Sequence, residues 1–212
     1  MSNPAVAYQQ PRAEKTRAEI LKRAVDIGSA EGLEGVSIGR LAAELAMSKT
    51  GVFAHFGSKE ELQLATVNLA ADIFVAEVVE PALKSPRGIQ RLTASLNNWL
   101  SYVERIVFRG GCFFAAASAE FDSRPGPVRD KIAELTRAWV VGLEDEVKEA
   151  QKLKQLAKKT KSRQLVFELH AYVQEANWAF KLFDDKTAFA RARLAISSRI
   201  ATEQRCKSTK RR

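Results

Sequence analysis

Ser37-Ile38-Gly39-Arg40-Leu41-Ala42-Ala43-Glu44-Leu45-Ala46-Met47-Ser48-Lys49-Thr50-Gly51-Val52-Phe53-Ala54-His55-Phe56 contains two short helical patterns and the turn between them. Ser37 is placed to cap the first helix, whose inner stripe is Ile38, Leu41, Ala42 and Leu45. Ala46-Met47-Ser48 has room only for a tight turn. A second helix of barely two turns then runs from about Ser48 to His55. On it Val52, Phe53 and Phe56 read as inward, and Lys49, Thr50, Gly51 and His55 as outward. A cation, a hydroxyl, a bare stretch of backbone and a ring donor on one exposed face suit a DNA groove. Spacing alone fits a small three-helix core with a polar surface equally well.

Working outward, Thr16-Arg17-Ala18-Glu19 has the spacing of a capping box and opens a helix whose inner face is Ile20, Ala24 and Ile27. Gly32 and Gly35 bracket the loop that follows. On the other side, Ser58-Lys59-Glu60-Glu61 is a second capping box. A longer helix is expected from there to about Glu80, where Pro81 should stop it. Beyond it, Ile89, Leu92, Leu96, Trp99, Val103 and Ile106 keep a helical period. Gly110-Gly111 breaks it before Cys112-Phe113-Phe114, and Asp122 to Pro127 reads as a loop. Three more stripes follow: Val128 to Val147, Leu165 to Phe180, and Phe189 to Ile200. No segment alternates as a strand would, so the chain reads as all-α.

The composition agrees with this reading, with 46% hydrophobic and 28% charged residues, 11 Gly and 6 Pro. No apolar run reaches membrane-spanning length and the N-terminal stretch lacks a signal-peptide core, so the expected location is the cytoplasm. Cys112 and Cys206 have neither metal-ligand spacing nor a disulfide framework, and no metal or cofactor is expected. The net charge of +9 sits away from the two short helices. Residues 1–60 hold eight bases against seven acids, whereas 148–163 hold seven against one and 205–212 five against none. Those two runs read first as a solvated helix end with its loop and as a disordered tail.

Thr16 to Leu64 resembles the TetR-family DNA-binding domain. The resemblance rests on Ser37-Ile38-Gly39-Arg40-Leu41-Ala42 and on Met47-Ser48-Lys49-Thr50-Gly51-Val52-Phe53-Ala54-His55-Phe56-Gly57-Ser58-Lys59-Glu60-Glu61-Leu62. It implies an N-terminal three-helix helix-turn-helix domain (16–64, behind a flexible arm, 1–15). A larger helical ligand-sensing and dimerisation domain (65–204) and the basic tail (205–212) would follow. The DNA-facing residues it implies are Ser37, Arg40, Ser48, Lys49, Thr50, Gly51, Phe53, His55 and Lys59. Lys49 and Thr50 are the candidates for base edges, and Lys59 matches the family's phosphate-binding lysine. The family usually has Tyr at position 53, with its hydroxyl on a phosphate, so Phe53 forgoes one contact. Arg12, Lys15 and Arg17 could enter a minor groove or form a solvated leader.

For the sensing domain, Trp99, Tyr102, Cys112, Phe113, Phe114, Trp139, His170 and Trp178 would supply an aromatic-lined cavity or an ordinary core. His170 fits a core histidine or a ligand contact. The resemblance implies a homodimer through the last two long helices, a near-palindromic operator, an unidentified small-molecule effector, and repression as the default mode. Two rival classes differ in their signatures. An enzyme would need a convergent catalytic set, which two histidines and no phosphate loop do not provide. A sequence-independent nucleic-acid coating protein would use the 148–163 segment and the tail, with a steep salt dependence.

Overall fold

In a computed structural model the backbone is described from Pro4 to Arg205 and side chains from Arg12 to Gln204; every regular element among these residues is helical. Helix α1 covers Pro4–Glu31, α2 Ile38–Glu44, α3 Lys49–Phe56 and α4 Lys59–Phe74. A π-helical segment, Val75–Val79, leads into α5 (Glu80–Leu83), followed by α6 (Ile89–Glu104) and α7 (Phe113–Phe121). Three long helices complete the chain: α8 (Pro127–Lys152), α9 (Ser162–Phe183) and α10 (Thr187–Arg205). Cys206 and the tail lie outside the described residues.

Two boundaries differ from the sequence reading. Helix α1 begins at Pro4, so Thr16 lies inside it and does not cap it. Arg12, Lys15 and Arg17 accordingly stand on a helix. Eight of residues 5–15 are Ala, Gln, Arg, Glu or Lys, all good helix formers, and Pro4 suits a first position, while Pro11 inside the helix works against it by removing a backbone donor. Pro81, for its part, does not end the helix at Glu80 but sits in the first turn of α5. The wider π turn, with Glu80 N–H reaching Val75 O, relieves the carbonyl that a proline ring would otherwise strike. Lys59–Leu83 is the one stretch among the described residues long and apolar enough to cross a membrane by composition. Its Leu62, Val67, Ala70, Phe74 and Val78 are core residues instead.

The chain forms two compact units. The first combines the chain up to Asp72 with Phe108–Ile132, so α7 belongs with the helix-turn-helix. Its core includes Ile20, Ala24, Ile27, Leu33, Leu41, Val52, Phe56 and Leu62 together with Phe108, Cys112, Phe113 and Phe121. Close approach fixes Gly110, because a Cβ there would lie 1.4 Å from the Ser29 carbonyl oxygen. The second unit combines Ile73–Val107 with the chain from Ala133, and in it α9 packs along α10 and both meet α6. The α6 N-terminus is secured by Glu146, which accepts from Gly88 N–H at 2.8 Å and Arg87 Nε at 3.0 Å, and by Gln155, which accepts from Ile89 N–H at 2.9 Å. Arg199 joins α10 to α9 through Glu168 and also holds Glu203 at 2.7 Å.

Candidate nucleic-acid interface and sensing cluster

Local hydrogen bonds build the head unit's two short helices. Ser37 Oγ accepts from Arg40 N–H at 3.2 Å and so caps α2. The turn closes through Met47 N–H to Ala42 O at 2.9 Å, with Ala46 in the left-handed region (φ +52°). Ser48 Oγ accepts from Gly51 N–H at 3.0 Å and starts α3; Gly57 at φ +74° ends it. Val52 and Phe56 are buried, so the helix direction is set by two apolar anchors one turn apart. Phe53 is not a third anchor: half its surface is exposed, and it lies on the outward face with Ser48, Lys49 and Thr50. His55 is half-buried beside Phe56.

The cations of this unit differ in how they are occupied. Arg40 Nε binds Glu44 at 2.5 Å and its Nη2 binds Glu31 at 3.1 Å, an arrangement that raises its pKa, with the Glu44 hydrogen bond first among the causes. Lys59 at the start of α4 binds Glu34. Arg17 lies over the Phe56 ring, its guanidinium carbon 4.9 Å from the centroid. Lys49, by contrast, has no ion pair among the described residues, and its stem passes close to Gly39 of α2. Ser58 Oγ accepts from Glu61 N–H at 3.0 Å, which makes it a helix cap. Gly51 also has a local role, because a Cβ there would lie 3.1 Å from Ser48 Oγ.

Of the eight candidates for an aromatic cluster, five lie in the second unit and three in the first. Trp99, Tyr102, Trp139 and His170 come together in the second unit around Phe74. The Phe74 ring meets Trp139, Tyr102 and Trp99 edge to face at 5.0, 5.5 and 6.3 Å between centroids. Trp99 meets Trp139 at 5.7 Å and His170 at 4.9 Å. Trp139 Nε1 and Thr136 Oγ1, one turn apart on α8, are buried with no hydrogen-bond partner among the described residues. Burial pushes the His170 pKa down, which favours its neutral form. Cys112, Phe113 and Phe114 belong to the head unit instead, where Phe113 packs against Phe108 and Phe114. Trp178 is on the outer side of α9, half exposed, against Phe183. Among the described residues no cluster of His, Cys, Asp and Glu could hold a metal ion.

Residues 20–66 match the family described as "Bacterial regulatory proteins, tetR family", and residues 88–196 match "Tetracyclin repressor-like, C-terminal domain". The chain belongs to the TetR family. It is a transcriptional regulator with an N-terminal helix-turn-helix and a helical C-terminal domain. Over 79 residues it is 28% identical to the HTH-type transcriptional regulator TcmR of Streptomyces glaucescens; that match spans 37% of this chain and 35% of the relative. A TetR transcriptional regulator from Chloroflexus aurantiacus J-10-FL has the same fold, with a TM-score of 0.83 at 22% identity over 91% of this chain and 98% of that one. AibR, solved with isovaleryl coenzyme A and operator DNA, superposes with a TM-score of 0.68 at 22% identity over 89% of this chain and 97% of that one.

Three features of this TetR regulator were not found from its sequence. The first is Phe74, which has the period of a core residue and no chemistry to mark it. The second is Glu34, whose ion pairs join residues far apart in the chain. The third is an apolar outer face on α9 and α10. Phe167, Trp178 and Leu182 are between 50% and 71% exposed on α9, and Leu194 is 67% exposed on α10 between the small exposed residues Ala190 and Ser197. The spacing 167, 178, 182 does carry a helical period, but the buried stripe Leu165, Leu169, Val173, Ala176 masks it.

Proposed function

We propose that this regulator is a cytoplasmic homodimeric repressor that reads a near-palindromic operator through α3 and is released by a small, largely apolar effector. The outward face of α3 carries the reading: Lys49 without an ion pair among the described residues, Thr50 and Ser48 exposed, and Phe53 half exposed on a helix capped at both ends. Lys49 and Thr50 are assigned to base edges, Ser37, His55 and Lys59 to phosphates, with Ser48 and Gly51 shaping the approach. Arg40, already held by two carboxylates, contributes less. Phe53 contributes its ring but no hydroxyl.

Dimerisation is assigned to the outer face of α9 and α10, because Phe167, Trp178, Leu182 and Leu194 are large apolar groups that the other described residues leave at least half exposed. Two copies present two recognition helices, and half-sites read together roughly multiply their discrimination. The effector is placed at the cluster of Phe74, Trp99, Tyr102, Trp139 and His170. Its apolar rings, neutral imidazole and the buried donors of Trp139 and Thr136 favour an uncharged or masked ligand bearing a hydrogen-bond acceptor. AibR shows that a protein of this fold binds both an acyl-CoA and operator DNA. Phe74 shares α4 with Lys59, so an effector that prefers one setting of this helix would change operator affinity by its differential binding to the two states. The basic run at the end of α8 is partly neutralised by Lys148–Asp145 and Lys152–Glu149 pairs, which gives a coating role no support.

The test is a titration of purified protein against its own upstream DNA and a scrambled duplex at physiological salt. A preference of about a thousandfold for the upstream sequence is expected of a specific reader. Equal affinity for both duplexes would refute the assignment.

A further inference from the structure

Glu34 lies in the single 3-10 turn Leu33–Gly35 between α1 and α2, and three other elements of the head unit converge on that turn. The α7 residue Glu120 accepts from Leu33 N–H at 2.6 Å and from Glu34 N–H at 2.9 Å. Gln63 of α4 donates to Leu33 O at 3.0 Å and is itself buried. Gly32, at φ +92°, lets the chain pass where a Cβ would come within 3.1 Å of the Glu120 carboxylate. The turn backbone is therefore fixed from two sides, and the Glu34 side chain has a defined reach.

That side chain ends between two cations. Lys59 Nζ donates to Oε1, and Arg124 Nη1 lies 3.4 Å from Oε2. Arg124, in the loop between α7 and α8, is steadied by the Phe121 ring, 5.5 Å from its guanidinium carbon. The Lys59 hydrogen bond comes first among the causes that hold the Glu34 carboxyl below the usual carboxylate range. Lys59 is the cation assigned to an operator phosphate. In the free protein, then, the lysine that should meet DNA is already engaged by an acid from a different element.

We propose that Glu34 competes with an operator phosphate for Lys59, and that Arg124 sets how strongly it competes by offering Glu34 a second partner when Lys59 leaves. This proposal rests on the reading of Lys59 as a phosphate contact. All three side chains are about half exposed, so the competition is a modest one. Exposed pairs of this kind change an affinity by about two- to fivefold. When Lys59 goes to a phosphate, Glu34 keeps Arg124 as its one cation among the described residues, with a Gln63 hydrogen bond beside it. Removing Glu34's charge makes Lys59's transfer easier, and removing Arg124's makes it harder.

The experiment measures operator affinity against salt concentration for Glu34→Gln, Arg124→Gln and Lys59→Gln, and for the first two combined with Lys59→Gln. Circular dichroism melting of each variant checks that the fold is kept. Glu34→Gln should tighten binding about two- to fivefold, and Arg124→Gln should weaken it by about twofold. The Lys59→Gln variant should weaken binding and lower the salt slope by about 1.8, the value of two phosphate contacts, one from each protomer of the dimer. In the Lys59→Gln background both other substitutions should lose their effect. If Lys59→Gln alone leaves affinity and slope unchanged, the phosphate assignment itself fails. If it weakens binding while the other two substitutions act equally with and without Lys59, they work through the long-range field and the competition is refuted.

Discussion

The outer face of α3 and the outer face of α9 and α10 are both exposed in one copy of the chain, and they are exposed for opposite reasons. On α3 the groups left to solvent are Ser48, Lys49, Thr50 and one ring, Phe53. On α9 the large apolar groups left to solvent are Phe167, Trp178, Leu182 and Phe183, with Leu194 on α10, beside exposed polar residues such as Glu175 and Arg191. Water satisfies the three polar groups of the first set and leaves only the Phe53 ring unsatisfied, so this exposure costs little and its value appears only against a polyanion. Water does not satisfy the second. Covering it would gain about 25 cal/mol per Å² of apolar surface removed from solvent, against the cost of association. A face that tolerates solvent is available for a ligand met occasionally; a face that does not is suited to a permanent partner.

Breaking the apolar face should have the largest effect. Phe167→Asp combined with Leu182→Asp is expected to give monomers in sedimentation velocity and to lower operator affinity by two orders of magnitude or so, because a single head buries too little surface to hold a half-site. A variant that remains dimeric with full affinity would remove α9 from the interface.

The α3 face comes next. Lys49→Ala and Thr50→Ala should each cost about 1–3 kcal/mol of discrimination in competition binding against scrambled DNA, the worth of a base-edge contact. Arg40→Gln sharpens this contrast. Arg40 is held by Glu44 and Glu31 in the free protein, so its loss should cost under about 1 kcal/mol. A larger loss for Arg40→Gln than for Lys49→Ala would reverse the ranking of the two helices.

The smallest expected effect is a pH dependence that separates both surfaces from the buried cluster. His170 has a folded pKa lowered by burial from an ordinary value of 6.5. The unfolded chain therefore binds this proton more readily, so stability is fully present above about pH 6.5 and falls as pH drops toward the lowered folded value. Urea unfolding between pH 7 and pH 5 should show this loss in the parent protein and a reduced loss in His170→Gln. Equal slopes would mean that His170 does not carry the dependence.

Some of these features could be read along the chain because their causes are local. Ser37 and Ser58 cap their helices as the spacing indicated, but that spacing fitted a plain three-helix core equally well, and the family resemblance of the residues from Ser37 to Leu62 separated the two. Phe53 was misread because a two-turn helix contains too few residues to fix its inner face by period; burial of Val52 and Phe56 settled it. Four of the eight aromatic candidates did meet. Cys112, Phe113 and Phe114 fall in the other unit, the head, where the Phe113 ring lies against Gly28 of α1.

The sequence by itself determined the all-helical class, the short recognition helix and its caps, and the family, because those depend on residues within a few positions of one another. Only the tertiary structure decided that Phe108–Ile132 joins the head, that Glu34 stands between Lys59 and Arg124, and that α9 and α10 leave a large apolar face uncovered. Each of these depends on which distant residues share one place, and that is fixed by how whole helices bury their stripes together.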